Sequence, residues 1–115
     1  MIIISPSKKL DLNHETISFM PTEPKYSKQS KKISDKIKDL DFKSVQSLMG
    51  ISQNLAMLNY NRFKSINTKS NVKKSAAFIF SGDTFNGLSF RSLDEGSLLY
   101  AQKKLRILSG LYGIL

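Results

Sequence analysis

The sequence predicts a mixed α/β fold, in which a small sheet packs with about four helices. Two short, continuous apolar runs, at positions 2–4 and 76–80, are typical of buried strands. Apolar residues at helical spacing between these runs predict amphipathic helices. The length of 115 residues fits one compact domain, so we expect residues 1–115 to form a single domain.

The first strand and the first helix are separated by a polar stretch. Three isoleucines at 2–4 precede Ser5-Pro6, which ends the predicted strand. Prolines at 21 and 24 favour an irregular or extended path over 20–27. A helix over about 27–40 follows, because apolar residues recur among lysines and aspartates. Its expected inner face is Ile33, Ile37 and Leu40.

Two further helices are predicted from residues that commonly cap helix termini. Asp41 can begin a helix that ends near Gly50, and Ser52 can begin a helix that ends near Phe63. Their expected inward-facing side chains are Val45, Leu48, Met49, Leu55, Ala56 and Leu58.

The second predicted strand, residues 76–80, is expected to lie beside the first strand and is followed by a turn over 81–87. Asp94 can cap a last helix that stops near Gly110, with cations in its last turns. The inner face of this helix is expected to hold Leu98, Leu99, Ala101, Gln102, Leu105 and Leu108.

The net charge of +9 comes from 18 Lys and Arg against 9 Asp and Glu. No carboxylate occurs between Asp41 and Asp83, and six cations lie in that gap. Such a block holds a positive potential that attracts polyanions such as nucleic acids. A basic surface that is merely solvated is the alternative, and charge alone does not separate the two interpretations.

Several classes of function are excluded by composition. The chain has no cysteine, so it has no disulfide, thiolate metal site or cysteine nucleophile. Its lone histidine, His14, cannot form a metal site by itself, and no cofactor is expected. No apolar stretch approaches the ~20 residues that cross a bilayer, so we expect a soluble, intracellular protein without a membrane partner.

One pair of residues is a candidate anion site or active site. The loop 5–8 leaves the C-terminal end of a predicted strand, a common ligand position in α/β folds, and Lys8 could hold an anion there. Asp83 would lie near Lys8 if the two predicted strands were neighbours. A structural ion pair or a turn cap is the alternative.

Four motifs carry a resemblance to a known family. They are residues 4–11 (ISPSKKLD), residues 48–52 (LMGIS) with Leu55-Ala56, Asn59 and Arg62-Phe63, residues 80–88 (FSGDTFNGL), and Ala101-Gln102 with residues 105–115 (LRILSGLYGIL). In order and spacing they resemble the YaaA-type peroxide-stress proteins. Members of that family continue well past the last motif, so the chain resembles an N-terminal portion, and we expect an incomplete domain.

The resemblance implies a cytoplasmic protein that limits oxidative damage, together with binding of duplex or branched DNA through a basic cleft and a helix–hairpin–helix-like element. Residues 99–113 are the candidate for that element, because glycines let the backbone approach phosphates closely. A C-terminal cap in a buried turn is the structural alternative. The candidate phosphate-binding residues are Lys8, Arg62, Lys64, Lys73, Lys74, Lys103, Arg106, Gly110 and Gly113.

Two alternatives to a DNA-binding stress protein stay open. One is an enzyme that acts on a small anionic substrate through Lys8 and Asp83, although a non-enzymatic role is favoured. The other is a truncated remnant without function of its own. The apolar end, residues 111–115 (LYGIL), also predicts that a missing C-terminal half or a second copy of the chain covers this terminus.

Overall fold

The computed structural model describes residues 1–13, 21–68 and 73–115, and in them it confirms the mixed α/β class. The helices are α1 (Ser27–Lys38), α2 (Phe42–Met49), α3 (Gln53–Ser65), α4 (Ala76–Ile79), α5 (Asp83–Leu88) and α6 (Glu95–Lys104), with a 3₁₀ turn at Phe90–Ser92. The strands are β1 (Ile2–Ile4), β2 (Lys9–Leu10), β3 (Phe80–Ser81), β4 (Leu105–Ser109) and β5 (Gly113–Ile114).

The chain divides into two compact units. Unit 1 comprises Met1–Tyr26 and Lys73–Leu115, and unit 2 comprises Ser27–Val72. The single domain expected over 1–115 stays a prediction. None of the helices in the described stretches is long and apolar enough to cross a membrane.

Unit 1 contains a three-stranded sheet with the order β1-β4-β5. β1 and β4 run parallel, with Ile4 opposite Ile107, and β4 and β5 run antiparallel, with Leu108 opposite Ile114. β1 is the predicted N-terminal strand, but its partner was expected to be residues 76–80. That expectation is wrong, because Leu105–Ser109 takes the position instead.

Residues 76–80 form mainly a helix rather than a strand. Ala76–Ile79 is α4, and only Phe80 belongs to a strand, β3, which pairs with β2 in a separate two-stranded sheet. A short apolar run has no periodicity that distinguishes a buried strand from a buried turn of helix. Burial of Phe78 was therefore predictable, while the backbone conformation was not.

The last helix is shorter than predicted. α6 begins after its N-cap Asp94, as expected, but ends at Lys104, where the chain enters β4. Residues 105–109 alternate between the two faces of the sheet; residues 105–107 pair with β1, and residues 108–109 pair with β5. Of the side chains expected on an inner helix face, Leu99, Gln102 and Leu108 are exposed.

The core of unit 1 is a cluster of aromatic and aliphatic side chains. Phe78, Phe85, Phe90 and Ile107 are buried, and the rings of Phe78 and Phe90 meet edge to face at 6.3 Å. Phe85 lies on α5, a helix that the sequence analysis treated as a turn. Ile4, Leu105 and Leu115 pack against this cluster from the sheet.

Unit 2 begins and ends its helices where the sequence predicts. Asp41 and Ser52 accept hydrogen bonds from the N–H groups of Ser44 and Leu55, so both N-caps are confirmed. Gly50 ends α2 in the left-handed conformation, at φ +58°. These signals are local, which is why the sequence alone reveals them.

The interior of unit 2 is small and partly polar. Val45, Ala56 and Ser34 are fully buried, and Asn67 donates a hydrogen bond to the Ser34 hydroxyl at 2.8 Å. Four side chains predicted to face inward are instead exposed, namely Ile33, Leu48, Leu55 and Leu58. The buried positions include the small residues Ser30, Ser34 and Ala56, so this interior holds few large side chains.

Candidate nucleic-acid interface

Most of the net positive charge lies in unit 2. Its 46 residues carry nine cations and three carboxylates, which gives a net charge of +6. Unit 1 carries nine cations and six carboxylates, which gives +3. Two thirds of the net charge therefore belongs to the helical unit.

Two of the three carboxylates in unit 2 are held by local partners. Asp35 accepts a hydrogen bond from Lys31 at 2.9 Å, and this contact lowers the pKa of Asp35. The N–H of Ser44 lowers the pKa of Asp41, the N-cap of α2. Both groups are therefore ionised at neutral pH and already have partners within unit 2.

A stripe of lysines runs along the solvent side of α1. Lys28, Lys32 and Lys36 are exposed and lie four residues apart, so they share one face of the helix. Ser30 and Ser34, the buried residues of α1, lie on the opposite face. None of the three lysines forms an ion pair with a described residue.

This lysine stripe was not predicted from the sequence. The candidate cations lay in the carboxylate-free segment after Asp41, at Lys8 and at 103–106, while 27–40 was interpreted only as an amphipathic helix. The regular four-residue spacing of Lys28, Lys32 and Lys36 was the available signal, and it becomes informative once a helix is assigned.

The two predicted cations of unit 2 have different surroundings. The Lys64 ammonium donates hydrogen bonds to the carbonyls of Lys38 and Leu40, at the end of α1, and lies 5.0 Å from the centre of the Tyr60 ring. Lys64 therefore stabilises the α1–α3 contact. Arg62 is half-buried, and its guanidinium makes no hydrogen bond to a described residue.

Most predicted cations of unit 1 also have intramolecular partners. Lys73 forms an ion pair with Glu23, and the Lys74 ammonium donates to the carbonyl of Asn13. The Arg106 guanidinium donates to the carbonyls of Gln102 and Leu105, both at 2.6 Å. Lys103 is exposed in the last turn of α6. Contact of these four residues with phosphate stays a prediction.

The interpretation of residues 99–113 as part of a helix–hairpin–helix is wrong. A strand, β4, follows α6, and Gly110 lies in the turn of a β-hairpin. Gly113 has φ +74°, and a Cβ atom there would lie 2.7 Å from the Cδ2 atom of Tyr26. Backbone conformation and close packing thus explain Gly113 without a phosphate.

The segments next to Lys8 and Asp83 are neighbours in the β2–β3 pair, while a site at these two residues stays a prediction. β2 and β3 pair with Lys9 opposite Ser81, so the loop that contains Lys8 lies against Gly82. A Cβ on Gly82 would lie 3.2 Å from the Ser7 hydroxyl. Lys8 and Asp83 are both exposed, so this corner can present a cation and a carboxylate to solvent.

Metal-binding groups are not clustered in the part of the chain that the structure describes. No group of three His, Cys, Asp or Glu side chains there could hold a metal ion. His14, which the sequence analysis considered, and Lys69, one of the cations of the carboxylate-free segment, lie outside the described residues.

These features define a basic protein of the mixed α/β class. Unit 1 contains a small mixed sheet, and unit 2 is helical and rich in lysine. The family described as "Peroxide stress protein YaaA" matches residues 1–115, and the chain belongs to this family. The motif resemblance noted in the sequence is thereby confirmed.

Curated relatives from several bacteria carry the name "UPF0246 protein". One from Dinoroseobacter shibae is 40% identical over 117 residues, covering 100% of this chain and 43% of the relative. One from Flavobacterium psychrophilum is 43% identical over 116 residues, covering 99% and 46%. One from Clostridium botulinum is 36% identical over 115 residues, covering 100% and 45%. The chain thus spans less than half the length of these relatives.

Proposed function

We propose that this chain acts in a cytoplasmic response to peroxide stress and binds DNA through its phosphates, without reading base sequence. Membership of the peroxide-stress family supports the first part. The observation that carries the second is the exposed stripe of Lys28, Lys32 and Lys36 on a unit with net charge +6.

The stripe has the chemistry of a phosphate-binding surface. Lysine ammonium groups are compact point charges that attract phosphate without demanding a fixed geometry. Lys28 and Lys36 lie eight positions apart on the helix, which places them about 12 Å apart along its axis. Contacts of this kind position a protein on DNA but carry no sequence information.

Titration of labelled duplex and branched DNA across a salt series tests this proposal. Between about 50 and 200 mM salt, log K should fall linearly with log salt, with a slope of about −0.9 per phosphate contacted. The variant Lys28→Gln/Lys32→Gln/Lys36→Gln should bind more weakly, and its slope should be shallower by about 3. Fluorescence anisotropy measures both quantities.

A matched control separates the stripe from net charge. Lys9→Gln/Lys25→Gln/Lys104→Gln removes the same charge from unit 1 and leaves α1 intact. The proposal requires the α1 variant to lose more affinity than this control. Equal losses of DNA affinity in the two variants would show that overall charge alone accounts for binding. If the folded parent chain does not bind DNA at low salt, the proposal is refuted.

A second candidate is an enzyme that acts on a small anionic substrate at Lys8 and Asp83, and the β2–β3 register favours it by bringing the two segments together. A titration with inorganic phosphate followed by ¹H–¹⁵N NMR should then shift amide signals at 5–9 and 81–84. Lys8→Gln should abolish those shifts. If the parent chain shows none, this candidate is discarded.

A further inference from the structure

The three-stranded sheet of unit 1 has one covered face and one uncovered face. Ile4, Leu105 and Ile107 face the buried aromatic cluster. Because side chains alternate along a strand, the neighbouring positions project from the opposite side, which we call the outer face. Its apolar members, with their exposed fractions, are Ile3 (59%), Leu108 (55%) and Ile114 (43%).

The outer face is mainly apolar, and the one charged strand residue on it, Arg106, is half-buried and donates hydrogen bonds to the carbonyls of Gln102 and Leu105. Strand register places Ile3 opposite Arg106, with Leu108 and Ile114 opposite each other on the next pair of strands. All-parallel sheets have both faces covered, whereas antiparallel sheets commonly leave one face to solvent, where polar side chains are then expected; here the exposed face of a mixed sheet carries mainly aliphatic side chains. In unit 1, α6 covers only the core face, because its Leu98 and Ala101 pack against the buried cluster.

We propose that the outer face is the docking surface for the polypeptide that the relatives carry beyond the region matched here. These relatives are similar to the chain over nearly its whole length, yet the match covers only 43% to 46% of their own length. They therefore contain more than enough additional polypeptide to cover this face. The occupant is a segment with an aliphatic stripe, such as an amphipathic helix laid across the strands.

This proposal does not depend on DNA binding and is tested by complementation. The chain, carrying an affinity tag, is co-expressed with the unmatched part of the Flavobacterium psychrophilum relative, and the co-purified fraction is measured. The parent chain should retain that segment. Leu108→Ser should reduce the retained fraction by about tenfold or more, since a buried leucine contact is lost.

Leu99→Ser is the matched control, because Leu99 is similarly exposed, at 48%, but lies on α6. It should leave the retained fraction unchanged. Both replaced side chains are largely exposed, so circular dichroism of each isolated variant should match that of the parent chain.

Three results would overturn the proposal. The first is the absence of any retained segment with the parent chain, and the second is equal retention by Leu108→Ser. The third is a concentration-dependent dimer of the chain alone that Leu108→Ser abolishes, since the face would then bind a second copy.

Discussion

Replacing Gly113 by alanine tests whether the C-terminal glycines serve the fold or a phosphate. Gly113 has φ +74°, and a left-handed conformation costs a residue with a Cβ about 1–2 kcal/mol. The added Cβ would also lie 2.7 Å from Cδ2 and 3.3 Å from Cγ of Tyr26. Since these atoms belong to the base of the ring, the ring must move as a whole, at about 1–3 kcal/mol.

The expected loss of unfolding free energy for Gly113→Ala is therefore about 2–5 kcal/mol. The matched control is Gly110→Ala, because nothing lies within 4 Å of a Cβ at Gly110. That replacement should change stability by less than about 0.5 kcal/mol. Urea denaturation followed by circular dichroism measures both values.

A double replacement divides the expected loss into its two causes. In a Tyr26→Ala background, Gly113→Ala should retain the conformational cost but lose the cost of the overlap. If Gly113→Ala unfolds at the same urea concentration as the parent chain, the packing argument fails. If both glycine variants keep full stability but lose DNA affinity, the glycines belong to a binding site after all.

Two further predictions concern the two units separately. Phe78→Ala should destabilise unit 1 by about 3–5 kcal/mol, because it removes a buried ring from the aromatic core; urea denaturation should show this, and a loss below 1 kcal/mol would contradict the assigned core. Acid should weaken unit 2 through Asp41, whose pKa in the folded chain is held below its unfolded value by the N–H of Ser44. The contribution of Asp41 is complete above the unfolded pKa of about 3.9 and is lost as the pH falls through the folded pKa. Melting temperatures measured from pH 7 to strongly acid pH should therefore fall more for the parent chain than for Asp41→Asn, and parallel curves would contradict this assignment.

The sequence predicted those features whose cause lies within a few residues of chain. The caps at Asp41, Ser52 and Asp94 and the helix end at Gly50 are confirmed because each depends on a hydrogen bond or dihedral angle that neighbouring residues set. The three isoleucines before Ser5-Pro6 likewise predicted the position of β1, although its pairing depends on β4, far along the chain.

Errors arose wherever a distant partner decided the conformation. Residues 105–109 form a strand because β1 provides a parallel partner a hundred residues earlier in the sequence. Residues 76–79 are helical although a strand was predicted, because periodicity does not distinguish the two conformations in a short apolar run. In unit 2, helix spacing indicated Leu55 and Leu58 as core residues, but the buried face of α3 is formed by Ala56 and Asn59, and both leucines are exposed.

The candidate interface shows the same division. Counting charges located an excess of cations, yet it could not show that Lys64, Lys73, Lys74 and Arg106 already have intramolecular partners. Those partners depend on which carbonyls and carboxylates the fold brings near. The stripe of Lys28, Lys32 and Lys36 is exposed because it lies on the face of α1 opposite the buried serines.

By itself, the sequence determined the mixed α/β class, the family motifs, the helix caps and the surplus of positive charge, since these follow from composition and from interactions between near neighbours. Only the tertiary structure decided which strands pair, which cations stay accessible and which apolar side chains form the uncovered face of the sheet. Long-range pairing and close packing select among conformations that are nearly equal in local free energy, and a linear pattern does not contain that information.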